Sequence, residues 1–279
     1  MTYENPRPIA ILMAVYNGER FMREQIDSIL AQTNREWTLY IRNDGSTDRT
    51  ADIIDAYVAA HDNIVAVDPG GPNLGCRGNF FRLLEVVESE YYMFSDADDV
   101  WLPQKVEWTI AAMRELDRDG RRPVVVHSDY TVTDAELNVL IPDYWKHVGM
   151  VPERFYSYNL IAIANPVSGA EMCFNHILKT YLFPLAHNTL LHDRWIPMVA
   201  ARHGALFKAI HKPTLLYRQH GDNIYGVNTA TSRGGLLQRI RAAWEANRYV
   251  AKKLVDAGYG SYWKYAWYKL VYTLKRHQR

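Results

Sequence analysis

The chain holds two cysteines in 279 residues, Cys76 and Cys173. That is too few for a disulfide framework, so a reducing compartment is the default. No uninterrupted apolar run is long enough to cross a bilayer, and Met1–Pro8 lacks the apolar stretch of a secretory signal. The expectation is a cytoplasmic protein. Internal repeats and low-complexity segments are missing too, which excludes solenoids and repeat arrays. Net charge is small, at +1, but it hides an asymmetry: residues 233–279 carry eleven Lys/Arg against two acids, and residues 1–232 carry 21 against 29. The basic end reads as a separate element. With 48% hydrophobic and 13% aromatic residues, the chain can bury a full core as one domain, or as a domain with an appendage.

What the sequence does contain centres on Ser95-Asp96-Ala97-Asp98-Asp99, reached through the apolar run Tyr91–Phe94. A run of strand length ending in three carboxylates reads as a buried strand delivering acids to a sheet edge. Acids this close repel, and a divalent cation is their natural partner. The alternative is a solvated acidic turn with Asp99 as a helix cap before Pro103. The surrounding pattern decides between them. Ile9–Val15 is a continuous apolar strand ending in Tyr16-Asn17-Gly18, followed by an amphipathic helix over 19–32. Trp37–Ile41 is a second strand, ending in Arg42-Asn43-Asp44-Gly45-Ser46-Thr47-Asp48, where Thr47 or Asp48 can cap the next helix. Ile64–Val67 is a third strand, the Pro- and Gly-rich stretch 69–78 a loop, and a helix runs from about Asn79 to Glu88. This alternation predicts an α/β fold with a doubly wound, mainly parallel, Rossmann-like sheet. Ligands of such sheets sit at the carboxyl ends of the strands, where Tyr16-Asn17, Asp44 and Asp96–Asp99 all lie.

Further along, 103–120 is an amphipathic helix and Pro123–Asp129 a strand, with His127 and Asp129 either lining an acceptor or forming a structural pair. The segment 137–155 has no clear period. Asp193, at the mouth of a helix carrying Trp195, Ile196 and Val199, reads by spacing as an N-cap. Ala205–Ile210 and the run from Leu215 read as two more strands. The second leads into Arg218-Gln219-His220-Gly221-Asp222-Asn223, where His220 can ligate a metal and Arg218 can pair with phosphate, or both can belong to a surface loop.

Taken together, Ala14-Val15-Tyr16-Asn17, Asn43–Asp48, Asn73-Leu74-Gly75 with Asn79, and Ser95–Trp101 resemble the inverting family 2 glycosyltransferases of the GT-A fold, over roughly residues 9–226. The nearest likeness is to bacterial rhamnosyltransferase-like members that build surface polysaccharides. The resemblance implies a metal-dependent inverting transferase that takes a sugar from a nucleotide-diphosphate sugar, dTDP-rhamnose or a UDP-sugar, to a hydroxyl of a glycan or lipid-linked glycan. It implies Asp193 as general base, and Ala14, Tyr16, Asn17, Asp44, Asp96 and Arg218 around the nucleotide. Asp98 and His220, with Asp96 or Asp99, would hold Mn²⁺ or Mg²⁺. It places a turn and strand under the sugar at 165–174, where Gly169 permits close backbone approach. Two departures stand out. The family usually has two acids where this chain has Asn43-Asp44, leaving Asp44 alone to accept the imide N–H of uracil or thymine. Ala97 stands where rhamnosyltransferase-like members often have Gln.

The division expected is a GT-A domain over 1–232 and a basic, aromatic-rich helical hairpin over 233–279. In the hairpin Leu236, Leu237, Ile240, Trp244, Ala251 and Leu254 share one helical face, and a break at Gly258-Tyr259-Gly260 precedes a helix rich in Trp, Tyr and Lys. Aromatics interleaved with cations suit an anionic membrane surface at the inner face of the cell membrane. Packing on the catalytic domain or a second subunit is the alternative. Nucleic acid is not expected as a partner. The rival functions are a nucleotidyltransferase, which needs a phosphate-gripping loop after the first strand, and a non-catalytic assembly subunit that binds nucleotide-sugar or membrane.

Overall fold

The structure is a computed structural model that describes residues 2–185, 189–221 and 236–277, without the side chains of 236–244, 246 and 277. The boundary at 232/233, Asp222 and Asn223, and the side chains of Leu236, Leu237, Ile240 and Trp244 lie outside the described residues.

The strands are β1 (Tyr3–Glu4), β2 (Ile9–Val15), β3 (Trp37–Asn43), β4 (Ile64–Ala66), β5 (Val87–Glu88), β6 (Tyr91–Ser95), β7 (Val100–Trp101), β8 (Val124–Thr133), β9 (Val139–Ile141), β10 (Met172–Asn175) and β11 (Leu206–Arg218). The helices are α1 (Met22–Leu30), α2 (Thr50–Ala60), α3 (Gly75–Val86), α4 (Lys105–Leu116), α5 (Tyr144–Val148), α6 (Tyr158–Ala164), α7 (His176–Thr180), α8 (His192–Arg202), α9 (Leu236–Asp256) and α10 (Tyr262–His277). Among the described residues nine strands form one sheet in the order β4-β3-β2-β6-β10-β8-β11-β7, with β9 beside β8, while β1 and β5 make a small separate ribbon. This is the α/β architecture that the alternation predicted.

Successive residues of a strand face opposite sides of the sheet, and the two cores record it. Ala10, Leu12, Tyr40, Tyr92 and Phe94 join one core with α3, α6, α8 and the α9–α10 hairpin. Ile9, Ile11, Met13, Leu39, Ile41 and Met93 join the other with α1, α2 and α4. Each large apolar side chain so buried contributes about 1.5–3 kcal/mol. Burial on both faces is why these strands read as unbroken apolar runs.

Strands β4, β3, β2 and β6 are mutually parallel, but β10 runs antiparallel to both β6 and β8. Its register, Cys173↔Met93, carries the residues before Met172 to the exit of β6. β8 and β11 are parallel to each other, so Arg218 emerges at the same edge as Ser95. The two strands expected around Pro213 are a single β11 with register shifts at Pro213, where a residue without an N–H interrupts the ladder and pairing then resumes. Helix α3 starts at Gly75 rather than Asn79, because Asn73 Oδ1 accepts the Gly75 N–H at 3.0 Å and begins the helix inside the Gly-rich stretch. The aperiodic 137–155 segment is made of pieces too short to show a period: β9, α5 and a 3₁₀ turn. The hairpin packs its inner face on the domain, contributing Ala251, Leu254, Tyr259 and Tyr265 to the first core. No described helix is long and apolar enough to cross a membrane.

Candidate functional site

The exits of β2 and β3 are laced together by short hydrogen bonds. Asn17, held at φ 51, donates its backbone N–H to Ser46 Oγ at 2.8 Å and accepts the Thr47 N–H at 2.9 Å. Gly18 N–H donates to Thr50 Oγ1 at 2.8 Å, and Glu19 N–H to Asp48 Oδ2 at 3.0 Å. A non-glycine residue in the left-handed region is uncommon and here belongs to a loop whose shape is set by a neighbouring loop. Ser46, Thr47 and Asp48 are therefore scaffold for the Tyr16-Asn17 turn. Asp48 also starts α2, accepting from Thr50 N–H at 3.0 Å and Thr50 Oγ1 at 2.5 Å, although α2 begins two residues beyond it. Ala14 lies in the strand beneath, and the Tyr16 side chain is exposed.

Asp44 follows directly on β3 and is almost fully buried. Its Oδ1 accepts from Arg42 Nη1 at 2.8 Å and from Leu74 N–H at 2.8 Å. Arg42 is buried as well and also donates to Asn79 Oδ1 and the Pro72 carbonyl, at 2.8 and 2.9 Å. A buried carboxylate with a charge-assisted partner has a fixed orientation. Arg42 is a positioning residue that sequence reasoning missed; the signal was an arginine directly after the apolar run Leu39–Ile41.

The acidic motif splits by burial. Asp99 is fully buried and its Oδ1 accepts the Arg218 N–H at 3.1 Å. Burial first, then the charges of Asp98, Asp96 and Glu171, push its carboxyl well above the ordinary carboxylate range. Asp96 is half-buried at the mouth. Desolvation, then Asp98, Glu171 and Asp193, push its pKa up to about 8. Asp98 Oδ2 lies 2.9 Å from His220 Nε2, so the two residues expected to share a cation are adjacent. The His220 ring sits 4.8 Å from that of Phe21. The phosphate fork expected of Arg218 is drawn inward instead. Its guanidinium donates to the Asp98 carbonyl at 2.8 Å and the Ala135 carbonyl at 2.7 Å, and pairs with Glu24 above the Phe21 ring. A buried guanidinium must find acceptors, and these hold the acidic loop in place.

Asp193 lies one position inside α8, with Leu191 at the N-cap and no side-chain cap bond, so its carboxylate is left half-buried rather than engaged as a cap. The preceding His192 is buried against Phe80 and Phe94, with ring centroids 4.1 and 4.8 Å away. Burial lowers its pKa to about 4. A Cβ on Gly169 would stand 2.4 Å from His192 Nε2, so Gly169 is required for the close approach of the turn before β10 to α8. One further residue marks the convergence. Cys76, at the start of α3, has its thiol pushed up to about 12, by burial first and then by Asp96, Asp193 and Asp44. In the sequence Cys76 is only a lone cysteine in a Gly-rich stretch.

Sequence reasoning also missed a buried charge network behind the motif. Lys105 is fully buried, donates to Thr214 Oγ1 at 3.1 Å and lies over the Trp101 ring at 4.9 Å. Burial lowers its pKa to about 8, against the pull of Glu171 and Asp99. Burial raises Glu171 to about 7, against the pull of Lys105. In the sequence Lys105 is one more polar residue in the first turn of an amphipathic helix, where lysine is usually exposed. His127 is structural: buried, bonded to Tyr156 Oη at 2.8 Å and pushed down to about 3 by desolvation. Asp129 accepts the Tyr130 and Trp145 N–H groups. A recess of about 720 Å³ lies elsewhere, lined by Glu88, His176, Lys179 and Phe183, and includes none of the motif acids.

Among the described residues no three His, Cys, Asp or Glu side chains converge as a metal cluster. The Asp98–His220 pair nevertheless fits a hard divalent cation of the kind bound through one or two protein donors plus substrate phosphates.

Comparison with known proteins agrees with this geometry. Residues 10–178 match the model of the family described as Glycosyl transferase family 2. The dTDP-rhamnosyl transferase RfbG of Shigella flexneri is 26% identical over 231 residues, 77% of this chain and 74% of that protein. The TarS structure from S. aureus in complex with UDP-GlcNAc superposes with a TM-score of 0.59 at 16% identity, over 88% of this chain and 66% of that one. The mannosyltransferase PcManGT of Pyrobaculum calidifontis, in complex with GDP-Man and Mn²⁺, gives 0.54 at 16% identity, over 90% and 64%. The chain spans just under two thirds of each of these solved chains, and at such identity they speak for the GT-A fold alone.

Proposed function

The chain belongs to glycosyl transferase family 2, and on that premise we propose that it is an inverting transferase moving a sugar from a nucleotide-diphosphate sugar to a hydroxyl of a glycan or lipid-linked glycan in bacterial surface polysaccharide synthesis. Residues 1–232 would form the transferase domain and 233–279 the appended hairpin. The observation that carries the reading is that Asp44 and Asp96 follow the exits of the parallel strands β3 and β6, while Asp193 follows His192, whose ring packs on Phe94 of β6 and Phe80 of α3. The exit of β6 and the start of α8 meet there.

In this reading Asp44, fixed by Arg42 and Leu74 N–H, accepts the imide N–H of uracil or thymine, and the Asn17 turn shapes the rest of the nucleotide pocket. Asp98 and His220, with Asp96 rather than the inward-held Asp99, would hold Mn²⁺ or Mg²⁺. Such an ion, when bound, offsets the negative charge of the diphosphate. Arg218 serves the nucleotide indirectly, by holding the carbonyl of Asp98. Asp193 takes the proton of the acceptor hydroxyl as that oxygen bonds to the anomeric carbon. The bond from that carbon to the diphosphate oxygen breaks on the opposite face, and the nucleoside diphosphate leaves with the electron pair. The sugar is transferred with inversion. Likeness to the Shigella protein favours dTDP-rhamnose as donor.

The test is a thermal-shift panel with the diphosphates of uridine, thymidine, guanosine and cytidine, each with and without Mn²⁺ or Mg²⁺. Ligand at 100 times its dissociation constant stabilises by about 2.7 kcal/mol and raises the midpoint. A metal-dependent shift with the thymidine or uridine compound supports the reading. A shift with guanosine or cytidine alone removes Asp44 as imide reader, and no shift with any contradicts the donor site.

A further inference from the structure

Helix α10 is amphipathic the wrong way round for a surface helix. Its inner residues Tyr265, Tyr268 and Tyr272 pack on the domain, with Tyr272 5.3 Å from Phe155 and Tyr265 Oη donating to Asn247 Oδ1 at 3.2 Å. Its exposed residues from Tyr262 to Leu274 are Tyr262, Trp263, Ala266, Trp267, Leu270, Thr273 and Leu274, none of them charged, and Arg276 follows at the end. Trp263 is 86% exposed, Trp267 63%, Leu270 52% and Leu274 59%. The spacing i, i+4, i+7, i+11 puts these four in one stripe on a helix whose opposite side is already buried. Water-facing helices normally show charge there, and an apolar stripe of this size marks a contact surface.

We infer that this face docks on an anionic lipid bilayer, α10 lying in the headgroup plane. The composition selects that partner. Two tryptophans and a tyrosine on the exposed face suit a layer that is apolar on one side and wet on the other. Charge supplies the second argument: the segment from Arg233 carries eleven cations and two acids, whereas the rest of the chain is acidic overall. Among the exposed cations are Arg276, at the end of the stripe, and Arg248, Lys252 and Lys253 on α9. A second copy of this chain would bring its own cations against these, which argues against self-association through the hairpin. Each cation close to an anionic surface strengthens binding about fivefold. The inference rests on the hairpin alone and is independent of the transfer site.

The experiment is co-sedimentation of the full chain with phosphatidylcholine vesicles and with vesicles containing about one third phosphatidylglycerol, at low and high salt. It is paired with the variant Trp263→Ser, Trp267→Ser, Leu270→Ser, Leu274→Ser. The wild type should pellet with the anionic vesicles, lose most of that binding at high salt, and stay in the supernatant with neutral vesicles. The variant should bind at least about tenfold more weakly, with its thermal midpoint and nucleotide-induced shift kept. Equal binding of variant and wild type to anionic vesicles would overturn the assignment of this face. Binding to neither vesicle, or equal binding to both, would overturn the anionic bilayer as partner. Concentration-dependent dimers of the wild type that the variant abolishes would assign the face to a second copy instead.

Discussion

Substituting Gly169 by alanine introduces one methyl group, and its consequences follow from the geometry. The new Cβ would sit 2.4 Å from Nε2, 3.1 Å from Cδ2 and 3.4 Å from Cε1 of His192. The ring cannot retreat freely, because Phe80 and Phe94 stand 4.1 and 4.8 Å from it. Overpacking of this kind costs about 1–3 kcal/mol. The reduced freedom of the unfolded chain returns about 0.4–1 kcal/mol, so the net loss is about 1–2 kcal/mol, or a midpoint lower by about 2–4 °C. Activity should suffer more than stability. His192 directly precedes Asp193, and a displacement of about 1 Å in a reacting group lowers turnover by about a hundredfold. The assay is a double-mutant cycle with His192→Ala, scored by thermal midpoint and by nucleoside diphosphate release in the presence of alkyl glycoside acceptors. On the His192→Ala background, Gly169→Ala should be nearly neutral for stability, giving a coupling of about 1–2 kcal/mol. Additive effects, or a neutral Gly169→Ala in the wild type, would refute the contact.

Three further predictions concern the buried groups. Lys105→Met removes a buried cation that donates to Thr214 Oγ1 and should destabilise by about 1–3 kcal/mol in chemical denaturation, with Lys105→Met/Glu171→Met recovering part of the loss; an equally unstable double variant would show that the two charges are not coupled. His127, lowered to about 3 in the fold, takes up its proton only in the unfolded chain as pH falls below about 6.5, so its contribution is present at pH 8 and is lost towards pH 3. Between pH 8 and pH 5 the stability difference between wild type and His127→Gln should therefore move by about 2 kcal/mol in favour of the variant, and a constant difference would contradict the buried neutral ring. Arg42→Met should leave Asp44 without its buried partner, raising donor KM by about tenfold with kcat little changed, whereas a pure loss of kcat would place Arg42 in the chemical step.

Much of the positioning was legible in the sequence because strands covered on both faces must be apolar throughout. Ile9–Val15 and Tyr91–Phe94 announced themselves in that way, and the polar residues after them had to lie at the sheet edge. The insertion of β10 was not legible, since the direction of a four-residue strand depends on its neighbours' register and not on its own pattern. The register is what brings Gly169 and Glu171 to the acidic motif. Arg218 shows the other limit. A cation near a run of acids reads equally as a ligand for phosphate or a strut for a loop, and only its burial among the Asp98 and Ala135 carbonyls and Glu24 distinguishes them. Asp193 lay at the opposite extreme, because spacing alone makes it an ordinary cap, and its place inside the helix became visible only with Leu191 at the N-cap. Lys105 was hidden for a simpler reason, in that nothing in an amphipathic pattern reveals a lysine folded inward.

The central claim is that Asp193 removes the acceptor proton in a site whose nucleotide pocket is built by other residues. The direct measurement is Asp193→Asn, compared with wild type for both the nucleotide-induced thermal shift and transfer from the donor that gives that shift. The substitution keeps shape and removes the proton acceptor, so the shift should be unchanged while transfer falls by about a hundredfold to ten-thousandfold. Near-wild-type transfer by Asp193→Asn, with the shift intact, would contradict the assignment and move the base to another residue of the mouth.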